Sequence, residues 1–465
     1  MKKGLVASYV AGIKDIYHGE TYSTIMRYFI PECITAFLIY SLPSILDSYF
    51  ICCFKSTPTY ALLSITNNWS HFIFKITEAF SVATVVMVGQ RNGNHEYRSA
   101  GDAARDAFWI SAILGGVLAG LLYISAYWIY KLHGVAPEMI AMGIPFLQLR
   151  SFAIFLCFMY MACIGFLRAI KNTRVPMLIF AAGSLIFIVL DYIFIFGRCG
   201  VQARGLQGSA LASCIQYGVM LIIALGYILG HRKYRKYGLH LFVGAFTFKN
   251  LKYWFELAWP MVLDKATLAG AYVWLGILIT KLGTNYSATF GAIKDLERLA
   301  FTPAIACAQI ITFLVSNDYK LQNWENIKTN IKKIIFLASV FVFSGLLLIC
   351  CKPLVFLQIF DRTGDFAQMA ARIFPVISVL VFFDLLQLIL SGALRGSGNV
   401  NTVMLVRLAV CCGYFVPVSC IIWYLPITDL TLKFVLIYGS FYVGNALMSV
   451  IYINRFRTDE WKQLS

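Results

Sequence analysis

The sequence predicts an all-α polytopic membrane protein with twelve transmembrane helices, arranged as two six-helix lobes of a parallel repeat around a central cleft. Three observations carry this. Of 465 residues, 60% are hydrophobic and only 13% charged, with a mean hydropathy of +0.74, whereas soluble domains carry about 25% charged residues. Apolar runs of about 20 residues, the length a helix needs to cross a bilayer, recur from end to end. Pieces of the first half also return in the second: Leu167-Arg168, Asn172 and Met177-Leu178 reappear as Leu394-Arg395, Asn399 and Met404-Leu405, all at one constant displacement.

Residues 1–27 read as a retained cytoplasmic segment, because Lys14-Asp15 and His18-Gly-Glu20 interrupt any hydrophobic stretch that Met1-Lys2-Lys3 could introduce. Six spans then follow in the N-lobe, 28–230, at about 28–52, 62–90, 107–130, 143–166, 175–197 and 207–230. A basic cytoplasmic linker, 231–254, opens with His231-Arg232-Lys233 and separates them from the C-lobe, 255–454. The C-lobe spans are 255–280, 286–315, 334–351, 373–394, 402–424 and 433–454, and residues 455–465 form a cytoplasmic tail. Of the 39 Lys and Arg, 24 fall in loops on the side of the N-terminus, 8 on the other side and 7 within spans. By the positive-inside rule both termini are cytoplasmic, in a multi-pass protein of the plasma (inner) membrane. Because each half has an even number of helices, both copies enter the membrane in the same direction, and their pseudo-twofold axis lies along the membrane normal.

The net charge of +17 is explained by this topology and not by nucleic acid: the basic residues sit in short loops, with no basic face or aromatic-basic motif. Thirteen cysteines, including the pairs Cys52-Cys53, Cys350-Cys351 and Cys411-Cys412, lack CxxC or Cys/His ligand spacing and read as small packing residues. The six histidines are dispersed, and there is no paired-Asp, metal-cluster or Ser/His constellation and no GxxxxGK[ST] loop. The sequence therefore predicts neither an enzyme nor a nucleotide-driven pump, and no cofactor.

Ionisable residues inside spans cost on the order of 2.5–3.5 kcal/mol each at the bilayer centre, so each needs a partner, water or a function. Asp384 has no basic neighbour three or four positions away on its helix, and the eleven residues from it to Arg395 cover about 16 Å at about 1.5 Å per residue. With Arg395 at the surface, Asp384 lies near the midplane, a place to exchange a proton or hold a cation; Gln387 shares the stretch as a cleft candidate. Asp47 follows Pro43 by four residues, so ion binding there can be coupled to a helix bend, with Pro43 or the earlier Pro31 as hinge. Lys75 and Glu78 can pair at i,i+3, either as structure or as part of an N-lobe pocket. Lys294, Asp295, Glu297 and Arg298 crowd one turn that cannot face lipid, where self-neutralised structure and substrate contact are both open. Arg150 and Arg407 are lone basic residues, with Asp191 and Asp384 among the acids they could meet. Lys265 points about 100° away from Asp264, so these two do not pair on one face.

The ordered motifs resemble the multidrug and toxic compound extrusion (MATE) transporters over nearly the whole chain. They are a proline-bearing first helix in each half (Pro31, Pro260), Gly89-Gln90-Arg91-Asn92-Gly93-Asn94 after the second helix, Leu167-Arg168 ending the fourth, Leu190-Asp191 in the fifth, Gly205 to Ala212 opening the sixth, and Leu394-Arg395-Gly396 ending the tenth. The resemblance implies that Asp47 is the first-helix acid of cation or proton coupling, and that Asp384 is the tenth-helix acid of a C-lobe cation site, where the only expected metal is a sodium ion. A seventh-helix acid of some members is replaced by Leu268, with Asp264 one turn earlier as its substitute, and Phe187 stands where the fifth helix usually has Asn. The implied function is secondary antiport: export of small amphipathic organic cations in exchange for protons or sodium ions, by alternating access of two lobes within one chain. A lipid-linked oligosaccharide or lipid flippase of the same superfamily is the alternative, disfavoured by the mixed charge within the spans.

Overall fold

The computed structural model describes residues 5–41, 57–132, 137–239, 248–357 and 367–462. Helix α1 (Leu5–Ile13) precedes α2 (Tyr22–Ala36), which runs on as a π-turn over Phe37–Ser41. Then come α3 (Thr57–Gly93), α4 (Tyr97–Leu132), α5 (Pro137–Ala169), α6 (Arg174–Phe196) and α7 (Leu206–Gly230). A 3-10 turn at Arg232–Tyr237 leads to α8 (Phe248–Thr280), α9 (Thr284–Tyr319), α10 (Trp324–Cys351) and the short α11 (Pro353–Leu357). The chain ends with α12 (Ala367–Ser397), α13 (Val400–Val410), a π-turn at Cys411–Phe415, α14 (Val416–Tyr424) and α15 (Leu430–Arg457).

Among the described residues, eleven helices are long and apolar enough to cross a membrane, with α13 to α14 acting as one span. Of the first predicted span only the opening part, through Ser41, is described. Most helices overrun their predicted spans, α10 starting at Trp324 where hydropathy places the span at 334. Hydropathy marks the edge of the hydrocarbon, whereas caps end a helix. Asp429 starts α15 by accepting from the amides of Thr431 and Leu432, and Gly197, at φ 67°, ends α6 in the left-handed conformation.

Packing divides the chain into an N-terminal unit, Leu38–Val262, and a C-terminal unit, Met1–Phe37 with Leu263–Ser465. Both divisions fall inside the first helix of a half, not in the basic linker. In the C-terminal unit, Tyr28 of α2 meets Phe313 of α9 edge-on at 5.4 Å, and Phe29 stacks on Phe341 of α10 at 4.7 Å. Pro31 is buried here, and Thr35 donates to its carbonyl at 2.8 Å.

Glycine allows the closest helix crossings, and the crossings repeat. A Cβ at Gly165 of α5 would stand 2.8 Å from the Ser81 carbonyl of α3, and one at Gly392 of α12 would stand 2.9 Å from the Ala308 carbonyl of α9. The step from Gly165 to Gly392 equals that from Ser81 to Ala308, and both equal the displacement of the sequence repeat. The segments after the sixth and twelfth helices repeat as well. Asn172 Nδ2 donates to Tyr234 Oη at 2.7 Å, and its repeat counterpart Asn399 donates through Nδ2 to the Trp461 carbonyl at 2.8 Å. In each unit a strap is thus tied to the loop that follows the fourth helix of its half.

Asp459 anchors the second strap, with Lys328 Nζ at 3.0 Å and Lys462 Nζ at 2.9 Å. Partial burial raises its pKa, but the two lysines more than offset this and hold the carboxyl below its ordinary value. A depressed folded pKa stabilises above the unfolded pKa, and that contribution is lost as pH falls through the folded value. The strap should therefore hold at neutral pH and loosen below about pH 4. Asp459→Asn, which tolerates the φ of 59° at this position, should raise proteolytic cleavage of the tail at neutral pH; wild-type resistance in that variant would show that the ion pairs do not hold the strap.

Candidate functional site

The charged residues of α8, α9, α12 and α13 that the sequence singles out sort into two groups. In the first, Asp264 of α8 is 1% exposed, and both of its oxygens are taken: Oδ2 accepts from Arg395 Nη2 at 2.6 Å, and Oδ1 accepts from Arg407 Nε. The partners come from α12 and α13, so three helices are joined at one carboxylate. Two buried guanidinium groups on one acid leave local positive charge, and Asp384 lies within electrostatic reach of Arg407. Asp264 and Asp384 thus face Arg395 and Arg407, and Lys265 also lies within electrostatic reach of Asp264.

Asp384 itself lies in α12, partly buried, and its hydrogen bond comes from a neutral group: Asn445 Nδ2 of α15 donates to Oδ1 at 3.1 Å. Among the described residues no cation stands within ion-pair distance of it. Asp264 has taken the arginine that the sequence left open between several acids. Gln387, one turn further along α12, is buried and bonds Ser391 at 3.5 Å.

The second group is the crowded turn of α9, which the fold splits by face. Asp295 and Arg298 pair at 3.7 Å on an exposed face. Glu297 is 8% exposed, and its Oε2 accepts from both Tyr438 and Tyr442 of α15, the latter at 3.0 Å. Lys294 Nζ lies over the Tyr272 ring of α8 at 4.3 Å from its centroid. Tyr272 is within electrostatic reach of Asp384 and Arg407 of the first group and of Glu297 of the second. Sequence reasoning missed Tyr272, Tyr438, Tyr442 and Asn445. The last three and Ser449 form a polar stripe at helical spacing along an apolar span, a signal that could have found them.

In the N-terminal unit, Lys75 Nζ pairs with Glu78 Oε2 at 3.1 Å on α3. Arg150 Nη1 of α5 donates to Ser213 Oγ of α7 at 2.6 Å, and Asp191 of α6 is buried. Asp47 and Pro43 lie outside the described residues.

A family model described as MatE matches residues 33–193 and 260–421. The chain belongs to the MatE family of transporters. The starts of the two matched blocks are separated by the displacement already seen in sequence and packing, so the family repeat and that duplication are the same. Among curated relatives of this MatE chain, the probable multidrug resistance protein NorM of Synechocystis sp. is 22% identical over 80% of each chain. The multidrug resistance protein MdtK of Photorhabdus laumondii is 21% identical over 69% of this chain and 70% of its own length. Among solved structures, a MATE in complex with MaD3S superposes with a TM-score of 0.86 at 18% identity over 97% of both chains. A MOP superfamily transporter from Pyrococcus furiosus, titled for the reverse polarity of its binding pocket, superposes at 0.85 with 18% identity over 98% of both. These superpositions establish the fold of this MatE protein.

Proposed function

We propose that this MatE protein is a secondary active antiporter that exports small amphipathic organic cations in exchange for protons or sodium ions by alternating access, with Asp384 as the coupling acid. The NorM and MdtK relatives are named for multidrug resistance, which supports export of small drug-like compounds. One observation carries the coupling assignment: Asp384 is the acid of its neighbourhood held by an amide instead of a cation, while Asp264 beside it has both oxygens occupied. An unpaired carboxylate at mid-helix can take up a proton or a sodium ion with little rearrangement, whereas Asp264 would first have to release a guanidinium. A cation bound at Asp384 adds one positive charge beside the Asp264 cluster, and a ligand moves a transporter only by differential interaction with its states. In this reading Asp264 supplies counter-charge, the buried Pro31 is a hinge candidate, both termini are cytoplasmic, the membrane is the plasma membrane and one chain is the working unit.

In liposomes, the wild type should move ethidium when a proton or sodium gradient is imposed. Asp384→Asn, which keeps the shape and the Asn445 contact, should still bind ethidium but lose gradient-driven movement. Full gradient-driven transport by the Asn variant would remove Asp384 from the mechanism, and wild-type flux indifferent to both gradients would sink the antiport reading.

A further inference from the structure

Glu297 is unused by the coupling scheme, yet it is the acid whose surroundings most resemble a ligand site. One carboxylate oxygen, Oε2, receives both phenol O–H groups, while Oε1 is buried with no hydrogen-bond partner. A buried acceptor without a donor is unusual in a folded protein and calls for an occupant or a reason. The surroundings are aromatic: Phe290 meets Tyr438 edge-on at 5.2 Å, and Tyr438 and Tyr442 lie 5.5 Å apart. Rings around a carboxylate suit an organic ammonium, which gains from ring faces and acid together. One ammonium is already there. Lys294 Nζ stands 4.3 Å from the Tyr272 centroid and 5.7 Å from that of Phe290, without coming within ion-pair distance of Glu297. The other charged groups around the subsite are Asp384 of α12, which faces Glu297 and Tyr272, Arg407 of α13, which faces Tyr272, and Asp295 and Arg298, which face Lys294 on α9 itself.

We propose that Glu297 and the rings of Tyr272, Phe290, Tyr438 and Tyr442 form a recognition subsite for the ammonium group of a transported organic cation, and that Lys294 is its tethered competitor. The lysine ammonium occupies the ring faces until a substrate ammonium displaces it. The flexible four-carbon stem and strongly hydrated head of lysine allow this withdrawal. The apparent affinity of a site filled by its own competitor is scaled down by the fraction of time the site stands open. Lys294 thus sets how tightly a cation must hold the rings and the acid in order to enter. This inference rests on the organic-cation reading above.

The test measures tetraethylammonium binding by calorimetry to the purified full-length chain, with ethidium transport run in parallel. Lys294→Met should bind tetraethylammonium about tenfold more tightly than wild type, equivalent to about 1.4 kcal/mol. Glu297→Gln should bind it at least about tenfold more weakly. Unchanged or weaker affinity in a monodisperse Lys294→Met protein overturns the competitor role, and this holds even where the Gln variant fails to fold. Wild-type affinity in a folded Glu297→Gln protein overturns the subsite. Where wild-type protein moves ethidium on a gradient and both variants keep wild-type affinity, this inference alone fails; where the wild type neither binds tetraethylammonium nor moves ethidium, the organic-cation reading itself fails.

Discussion

Asp264→Asn should cost about 3–5 kcal/mol of folding stability, the largest effect expected of any single substitution in this chain. The acid is 1% exposed and its two oxygens each hold a guanidinium, from Arg395 and Arg407. An amide in its place offers one acceptor and no charge, so two buried cations on two helices lose their counter-ion together. Breaking a buried pair by removing one partner is far more damaging than replacing the whole set by apolar residues, because the stranded charge keeps its desolvation cost. Thermal unfolding of the detergent-purified protein should show the loss. Replacing Asp264, Arg395 and Arg407 together by Leu, Met and Met should recover much of it. A single-variant loss below about 1 kcal/mol would mean that water reaches the two arginines, since exposed pairs are worth no more than that.

Gly396→Val should destabilise by about 2–3 kcal/mol through overpacking at the crossing of α12 and α9. A Cβ at Gly396 would stand 2.5 Å from the Thr312 carbonyl and 2.9 Å from Val315 Cβ. The first of these atoms is backbone, so no side-chain rotation relieves the contact and a helix has to move. Helix propensity acts the other way, since glycine in a helix interior is worth about 1 kcal/mol less than alanine, but the gain with a β-branched residue is smaller still. The clash therefore decides the sign. Gly270→Ala is the control: nothing lies within 4 Å of a Cβ built there, and it should be neutral or stabilising by up to about 1 kcal/mol. Equal unfolding temperatures for the Gly396 and Gly270 variants would contradict close packing at this crossing.

Much of the fold is legible in one dimension because a bilayer imposes one-dimensional rules. A span must be apolar for about 20 residues, and a duplicated bundle repeats its glycines and loop asparagines at a constant displacement. Gly165 and Gly392, or Asn172 and Asn399, are recognisable in the sequence because each pair does the same packing task in its own unit. The same logic singles out Asp384: its counterpart in the first copy of the repeat is Cys157, so the acid is not part of the repeated scaffold.

Partner choice is different, because it depends on which helices lie side by side. The sequence leaves Arg407 free to meet several acids; the fold brings it and Arg395 to Asp264, and that leaves Asp384 to Asn445. The Lys294-to-Arg298 turn reads as one charged knot, yet a helix separates neighbours by about 100°, so Asp295 and Arg298 stay exposed while Glu297 goes to two tyrosines and Lys294 to a ring. Likewise α2 packs against α9 and α10 of the second half, although sequence order assigns it to the first. The membrane class, the duplication, the eleven described spans and the acid that breaks the repeat thus follow from composition and period alone. Which charges neutralise one another, with Asp264 taking two arginines while Asp384 and Glu297 are held by neutral groups, is settled in the fold, because ion pairing acts over a few ångströms between helices that the sequence does not place side by side.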